Sequence, residues 1–589
     1  MDVNTSTTRQ VRPDSPSQTL QTIHDDITYH TQCISDLKAR LNTFVPIARL
    51  PPEVLSEVFL QTVAARTTYD ARIGRQGALH PYHWLRATQV CRHWRAVALS
   101  CTPLWSHLKV TARCGSLPIP LFLEWARKAP LVVSVVWDSM DADRRFRPGY
   151  SVEGQNRVAN LILSHLPRIG GLSFTLLGLL PDYADVLDRL GGSAPLLESL
   201  SIHCEHESVS PDKALRLMHR LETTNLRRLH LYTVPLEWGT IVLPTLTHLT
   251  LGNNPDSDRL LKRKATGTVQ DLLTALAHMS LLQELVIDYG VLLSPPGPNT
   301  AALPAPSIHA FLPHLRRLHI SEGAVNNLFL LSYMDTPSLA ALRTSGSQAL
   351  QHEFCAALAS KMHSLGRPLT LVVELFRYAA RVRGYTQIVH VDDGAMDQPD
   401  LYPQRSGTSP SFDVRFWDSD GHDGGLDMFT TFCELSPIHD VDSLFLINFP
   451  LLHGHHVWTA TSQHMTKVTQ LYLRPPKDHD VVPQWVLLQK DRDDPVVHRR
   501  DDEAFALGYP FPQLGLLTLD GVCFRNPGSP SGEDTAGCIT TLVKVLIERR
   551  EAGAEIERLR ILNPKNMEPK DLERLKEVVR EVECNGPLL

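Results

Sequence analysis

Leu243-Pro-Thr-Leu-Thr-His-Leu-Thr-Leu251 sets leucines at 246, 249 and 251 behind a Leu-Pro lead-in. Leu249 and Leu251, spaced around Thr250, follow the two-residue period of a short strand with one face buried. The phrase L-x-x-L-x-L recurs on both sides. It is met as Ile169-x-x-Leu172-x-Phe174, Leu197-x-x-Leu200-x-Ile202, Leu226-x-x-Leu229-x-Leu231, Leu282-x-x-Leu285-x-Ile287 and Leu315-x-x-Leu318-x-Ile320. After a gap it returns as Val441-x-x-Leu444-x-Leu446, Val468-x-x-Leu471-x-Leu473, Leu514-x-x-Leu517-x-Leu519 and Ile556-x-x-Leu559-x-Ile561, with Leu339-x-x-Leu342 a partial match. Shared lead-ins, as in Ala194-Pro-Leu and Phe511-Pro-Gln-Leu, make chance a poor explanation. One phrase cannot bury its own apolar face, whereas stacked phrases make a continuous core. Leu272, Leu273, Leu276 and Ala277, just ahead of Leu282, read as a helical return that adds its own stripe to that core.

The phrase resembles the leucine-rich repeat, and the resemblance implies an irregular α/β solenoid over residues 111–565. Two features depart from the regular pattern. Spacings run from about 20 to 46 residues, and the Asn that normally follows the strand is supplied only by Asn254. Polar or Pro-rich stretches at 294–306, 392–411 and 475–502 read as loops. Segments 368–373, 387–391 and 412–416 read as strands that carry the sheet across the gap in the phrase. Ahead of the first full phrase, 104–110 and 130–137 read as strands of the same sheet joined by a helix at 121–129, and a helix is expected at 566–589.

The amino-terminal part has a different pattern. Residues 1–19 are rich in Thr, Ser, Gln and Pro and read as a disordered tail. In 20–45, Leu20, Ile27, Ile34 and Leu41 recur every seven residues, with Ile23, His30, Leu37 and Phe44 three places behind. That is an amphipathic helix with a heptad seam, which either packs on its own domain or pairs as a coiled coil. Next comes Ile47-Ala-Arg-Leu-Pro-Pro-Glu-Val-Leu-Ser-Glu-Val-Phe59. Pro51 and Pro52 suit a first helical turn, and Glu53 opposes the positive end of the helix dipole. After a polar stretch at 61–83, a second helix carries Val90-Cys-Arg-His-Trp-Arg95, which Pro103-Leu-Trp105 closes.

Taken together, Leu50-Pro-Pro-Glu-Val-Leu, Val90-Cys-Arg-His-Trp-Arg and Pro103-Leu-Trp105 resemble the F-box, in the form seen in many fungal members, over residues 46–110 with an insertion near 61–83. The resemblance implies a small helical module that docks on a Skp-type adaptor and, through it, on the cullin of an SCF ubiquitin ligase. It makes Leu50, Pro51, Glu53, Val54, Leu55, Val58, Phe59, Val90 and Cys91 the adaptor-contact candidates. Trp94 and Trp105 read as the module's own core, since large aromatics at this spacing fill interiors.

Charge divides along the same line. Residues 1–115 carry 13 Lys+Arg against 8 Asp+Glu, and the remainder 45 against 56, within a total of −6 over 589 residues. Neither figure calls for nucleic acid or a membrane as partner, and the basic excess reads as a solvated face. The first 20 residues lack an apolar h-region, and the 10 cysteines are single, with no C-x-x-C pair. A reduced, cytoplasmic or nuclear protein is expected.

Signatures of chemistry are weak. The sequence holds no Walker A loop, G-x-G-x-x-G, G-x-S-x-G or H-E-x-x-H. His203-Cys-Glu-His206, the His453, His455 and His456 group, Asp418, Asp420, Asp423 and Asp427, and Lys262-Arg-Lys264 are better read as loops than as metal, calcium or nuclear-import sites. No cofactor and no catalytic residue are expected. The function expected is substrate recognition within an SCF-type ligase, the repeat body binding target proteins for ubiquitin-dependent degradation. The alternative is a non-ligase interaction scaffold, dimerised through the 20–45 helix.

Overall fold

A computed structural model describes residues 16–70, 82–111, 119–138, 160–177, 191–204, 220–234, 238, 243–253, 267–288, 290–293, 305–376, 379–389, 409–417, 424–448, 462–476, 509–524 and 537–587. The chain divides into two units, residues 1–177 with 193–197, and residues 178–192 with 198–589. Among the described residues no helix is long and apolar enough to cross a membrane.

The first unit opens with α1 (Pro16–Asn42), which starts earlier than Leu20 because Pro16 is well placed in a helix's first turn. A 3-10 turn at Pro46–Arg49 leads to an extended Leu50, and α2 (Pro52–Asp70) follows. This helix runs through the first part of the stretch read as an insertion; residues 71–81 lie outside the described ones. A second 3-10 turn (His83–Gln89), α3 (Arg92–Ser100) and α4 (Thr102–Trp105) complete the helical part, and α2 packs on all three. The Cys91 Sγ accepts the Trp94 backbone N–H at 3.4 Å and caps α3. Beyond it, β1 (His107–Thr111), α5 (Ile119–Trp125), β2 (Leu131–Asp138) and β3 (Ile169–Leu177) follow in order. The strands are parallel, with Leu108 beside Val133 and Leu172, and Val110 beside Val135 and Phe174. All six are buried.

In the second unit the repeat phrases coincide with strands. These are β4 (Ser199–Cys204), β5 (Arg228–Tyr232), β6 (His248–Gly252), β7 (Glu284–Asp288), β8 (Arg317–Ser321) and β9 (Ala341–Ser347). They pair in sequence order, all parallel, and the register sets Leu200, Leu229, Leu249, Leu285, Leu318 and Leu342 in one row. Each of these leucines is at most 2% exposed. At about 1.5–3 kcal/mol per buried leucine, rows of this kind are what hold neighbouring strands in register.

The gap in the phrase is filled by an inversion. It comprises β10 (Thr370–Phe376), β11 (Ala379–Tyr385) and β12 (Phe412–Trp417). β12 lies parallel to β9, β11 is antiparallel to both β12 and β10, and β10 lies parallel to β13 (Ser443–Ile447). The spatial order is therefore β9, β12, β11, β10, β13. A strand expected at 387–391 stands instead at Ala379–Tyr385. β14 (Gln470–Arg474), β15 (Leu516–Asp520), β16 (Arg558–Leu562) and β17 (Glu581–Asn585) then resume the parallel run.

Helices return the chain between several strands: α6 (Val269–Ala277), α7 (Ala324–Tyr333), α8 (Gln351–Leu365), α9 (Gly424–Leu435), α10 (Gly537–Glu551) and α11 (Pro569–Lys576). In α6 a Thr268–Asp271 capping box begins the helix, and Leu272, Leu273, Ala275 and Leu276 are buried. Ala277, expected on that stripe, faces out. The carboxy-terminal 566–589 segment is not one helix: α11 is short and β17 follows it.

Asn254 lies outside the described residues, as do the His453 group, Asp418, Asp420, Asp423, the Lys262–Lys264 triplet and most of the three expected loops. The turn that leaves a strand is made in another way. Thr233, Asn448, Gly521 and Asn563, each directly after a strand, take positive φ between 47° and 66°. Asn and Gly reach that region at little cost, which suits them to a sharp exit.

Candidate functional site

In the first unit, α2 separates the sequence-derived candidates into two sets. Leu55 and Phe59 are 0% and 4% exposed, and the Phe59 ring meets Trp94 edge-on at 5.4 Å. Val54 and Val58, at 46% and 43%, face outward one turn apart, and Val90 ahead of α3 is 59% exposed. Pro51, Pro52 and Glu53 are exposed, while Leu50 and Cys91 are half-buried. The candidates thus form an outward row carried by an inward one. The 3-10 turn before them adds Ile47, 43% exposed, which the sequence reading passed over although it stands at the head of the quoted motif. Ile47, Val54, Val58 and Val90 thus leave apolar surface exposed in this segment.

The inward row is well anchored. Trp105 is 2% exposed and donates its indole N–H to the Ala98 carbonyl at 2.7 Å. Its ring lies 5.1 Å from Trp84, 5.4 Å from Phe122 and 4.4 Å from Trp125. Tyr82 accepts the Lys109 backbone N–H at 2.9 Å and so ties the helices to β1. Trp94 is only half-buried, a less complete core member than Trp105.

The second unit offers an open sheet face opposite its leucine rows. Alternate residues of β4–β8 point there, among them Arg228, His230, Tyr232, His248, Glu284, Asp288, Arg317 and His319. Glu284 pairs with Arg317 at 2.6 Å and approaches His248 at 3.9 Å, and Asp288 pairs with His319 at 3.4 Å. The His203 ring stacks on Tyr232 at 4.6 Å. Partial burial lowers His230, helped by His203, and also lowers His319 against the pull of Asp288, so both favour the neutral imidazole. Arg228, His230, His248, Glu284, Arg317 and His319 fill the x positions of the phrase, and His203, Tyr232 and Asp288 follow directly after its last apolar residue.

His203 and Cys204 do not share a site. Alternation along β4 turns them to opposite faces, and burial pushes the Cys204 thiol up to about 12. Asp427 sits in the first turn of α9, where its carbonyl accepts from Gln351 at 2.9 Å.

Over β10, β13 and β14 the same face is closed. Val372, Tyr385, Val389, Phe445, Ile447 and Tyr472 form a buried cluster there. Beside it Arg381 makes a two-pronged pair with Asp413, Nε–Oδ1 2.9 Å and Nη2–Oδ2 2.8 Å, and Arg383 pairs with Glu374 at 3.0 Å. Burial opposes ionisation of Asp413, yet the Arg381 hydrogen bonds, with Arg343 and Arg383 nearby, hold its carboxyl below the usual range. The face is thus open over β4–β9, and again over β16 and β17, where Arg558, Glu581 and Glu583 are exposed.

Comparison with known proteins bears mainly on the first unit. No curated protein matches the chain's sequence. Among solved structures, the complex of Rad7 and Elc1 in yeast aligns over 86% of this chain and 96% of that chain, at 11% identity and a TM-score of 0.20, too low to bear on the fold. The F-box-like family matches residues 47–111, the segment that holds both rows. The chain carries an F-box-like domain at residues 47–111.

Proposed function

We propose that this chain is the substrate-recognition subunit of an SCF-type ubiquitin ligase. The observation that carries the reading is the set of exposed apolar residues Ile47, Val54, Val58 and Val90, beside a buried Leu55 and Phe59 that rest on the half-buried Trp94 inside the F-box-like domain. An F-box implies a Skp-type adaptor, and this set is the surface offered to it, with Leu50, Pro51 and Glu53 at its rim. Cullin attachment follows through the adaptor. The parallel strands of the second unit make a leucine-rich-repeat-like body, and their open β4–β8 face, lined by Arg228, His230, His248 and Arg317, receives the target protein. The chain itself makes and breaks no bond. It raises the effective concentration of a target lysine at a charged conjugating enzyme, which turns a bimolecular encounter into a local one. A cytoplasmic or nuclear site of action goes with this role.

Co-purification of the full chain with a Skp-type adaptor tests the reading, with a Val54→Asp/Val58→Asp variant beside it. Wild-type protein should carry the adaptor in stoichiometric amount, and the folded variant should lose it. A folded wild-type chain that leaves the adaptor behind would overturn the ligase role in favour of a scaffold.

A further inference from the structure

The α1 heptad seam is not what fastens that helix to its unit. Leu20, Ile23, Ile27, Ile34, Leu37, Leu41 and Phe44 are between 48% and 73% exposed. The attachment lies on another face, where Arg92 of α3 donates to Asp36 at 3.0 Å and to Ser35 at 2.7 Å. Cys33, Ser35, Ala39 and Asn42 are the half-buried residues there. Of the two readings of the seam, packing on its own domain is thus not the arrangement observed.

Seven large side chains at this exposure leave an apolar strip on the order of 700 Å², more than the roughly 300–600 Å² patch of a typical monomer. Two such strips face to face pass the about 1,000 Å² at which specific contacts begin. The 3.5-residue period over 20–44 is that of two helices wound together, and the strip is self-complementary in length and chemistry.

We propose that α1 pairs with α1 of a second copy of this chain as an antiparallel coiled coil. The orientation follows from charge and from His30. With Leu20, Ile27, Ile34 and Leu41 at the a positions, Asp26 and Arg40 both occupy g positions. In an antiparallel pair g faces g, so Asp26 of each copy meets the second copy's Arg40, and this happens twice about a dyad near Gln32. His30 then packs against the second copy's Ile34. In a parallel pair Asp26 would meet Thr31, Arg40 would meet Val45, and the two His30 rings would face each other, with no charge pair gained. This inference stands whether or not the chain binds an adaptor.

Sedimentation equilibrium of the full chain, from about 1 to 100 µM, reads the association directly. Wild-type protein should be a dimer, and Ile27→Asp/Ile34→Asp should make it monomeric with its helix content and thermal transition unchanged. Asp26 and Arg40 are exposed, so charge variants there do not endanger folding. Asp26→Arg should raise the dissociation constant about tenfold through two like-charge contacts, and adding Arg40→Asp should restore it to within about twofold. A chain that stays monomeric at the highest concentration, or a dimer indifferent to the seam substitutions, overturns the proposal. A dimer that the double variant weakens further than the single one overturns the antiparallel orientation.

Discussion

Glu322 directly follows β8, is 9% exposed, and accepts the Val291 backbone N–H on Oε1 at 2.6 Å. Burial pushes its carboxyl up to about 6, against an ordinary 4.5, although the backbone amides of Val291, Leu292, Gly290 and Gly323 all favour the ionised form. Between pH 4.5 and 6 the folded chain therefore holds a proton that the unfolded chain has released. The stability contributed by this group is complete below pH 4.5 and is lost as pH rises through 6. A separation of about 1.5 pH units corresponds to about 2 kcal/mol. Glu322→Gln has nothing to ionise, so it escapes the loss while keeping an oxygen for Val291. Urea denaturation of both proteins at pH 4.5 and pH 7 reads the effect as a difference of differences. The variant should gain about 2 kcal/mol on the wild type over that interval. Equal gaps at the two pH values would show that the buried carboxyl ionises as easily as an exposed one, and the reasoning would fail.

Arg381→Met should destabilise the chain by about 3–5 kcal/mol by leaving Asp413 charged and buried, and Arg381→Met/Asp413→Leu should recover much of that in the same denaturation assay. Gly384→Ala places a methyl against the Phe412 ring across the β11–β12 pair, and overpacking of this kind should cost about 1–3 kcal/mol and lower the thermal midpoint. Arg549 is 0% exposed and donates to the carbonyls of Pro510, Phe511 and Ala554, at 3.1, 2.9 and 3.2 Å. Arg549→Met strands those acceptors, so hydrogen exchange at β15 should quicken, with a loss of about 2–4 kcal/mol.

The strands at 199–347 were legible because each keeps one face in the core, which writes a two-residue alternation into the sequence. That alternation fails where both faces are covered. In β10 six consecutive residues, Thr370 to Leu375, are buried, so the segment is readable as apolar but not as sided. β11 escapes the sequence pattern for a further reason. Arg381 and Arg383 look like solvent residues until Asp413 and Glu374, brought from two other strands, neutralise them. The inverted order of β10–β12 leaves no local trace, because strand order is a property of pairing between distant segments. β17, Glu581-Val-Glu-Cys-Asn585, is largely polar and pairs with β16, so in the sequence alone it reads as part of a helix.

The candidate site divides in the same way. The motif located the F-box-like segment to within a residue at each end. Which residues of α2 face out, Val54 and Val58 rather than Leu55 and Phe59, required α3 and α4 to be in place. The open face of the second unit sits mostly in the spacer positions of the phrase, whose identity no repeat pattern constrains.

The most direct measurement is a calorimetric titration of the full chain with a Skp-type adaptor, comparing an outward with an inward substitution on one helix. Val58→Asp should abolish the binding heat while the thermal midpoint stays near that of the wild type, since Val58 is 43% exposed. Leu55→Ala, at 0% exposure, should lower stability by about 2–5 kcal/mol yet leave the affinity of the folded fraction little changed. Undiminished binding by a folded Val58→Asp chain would contradict the account.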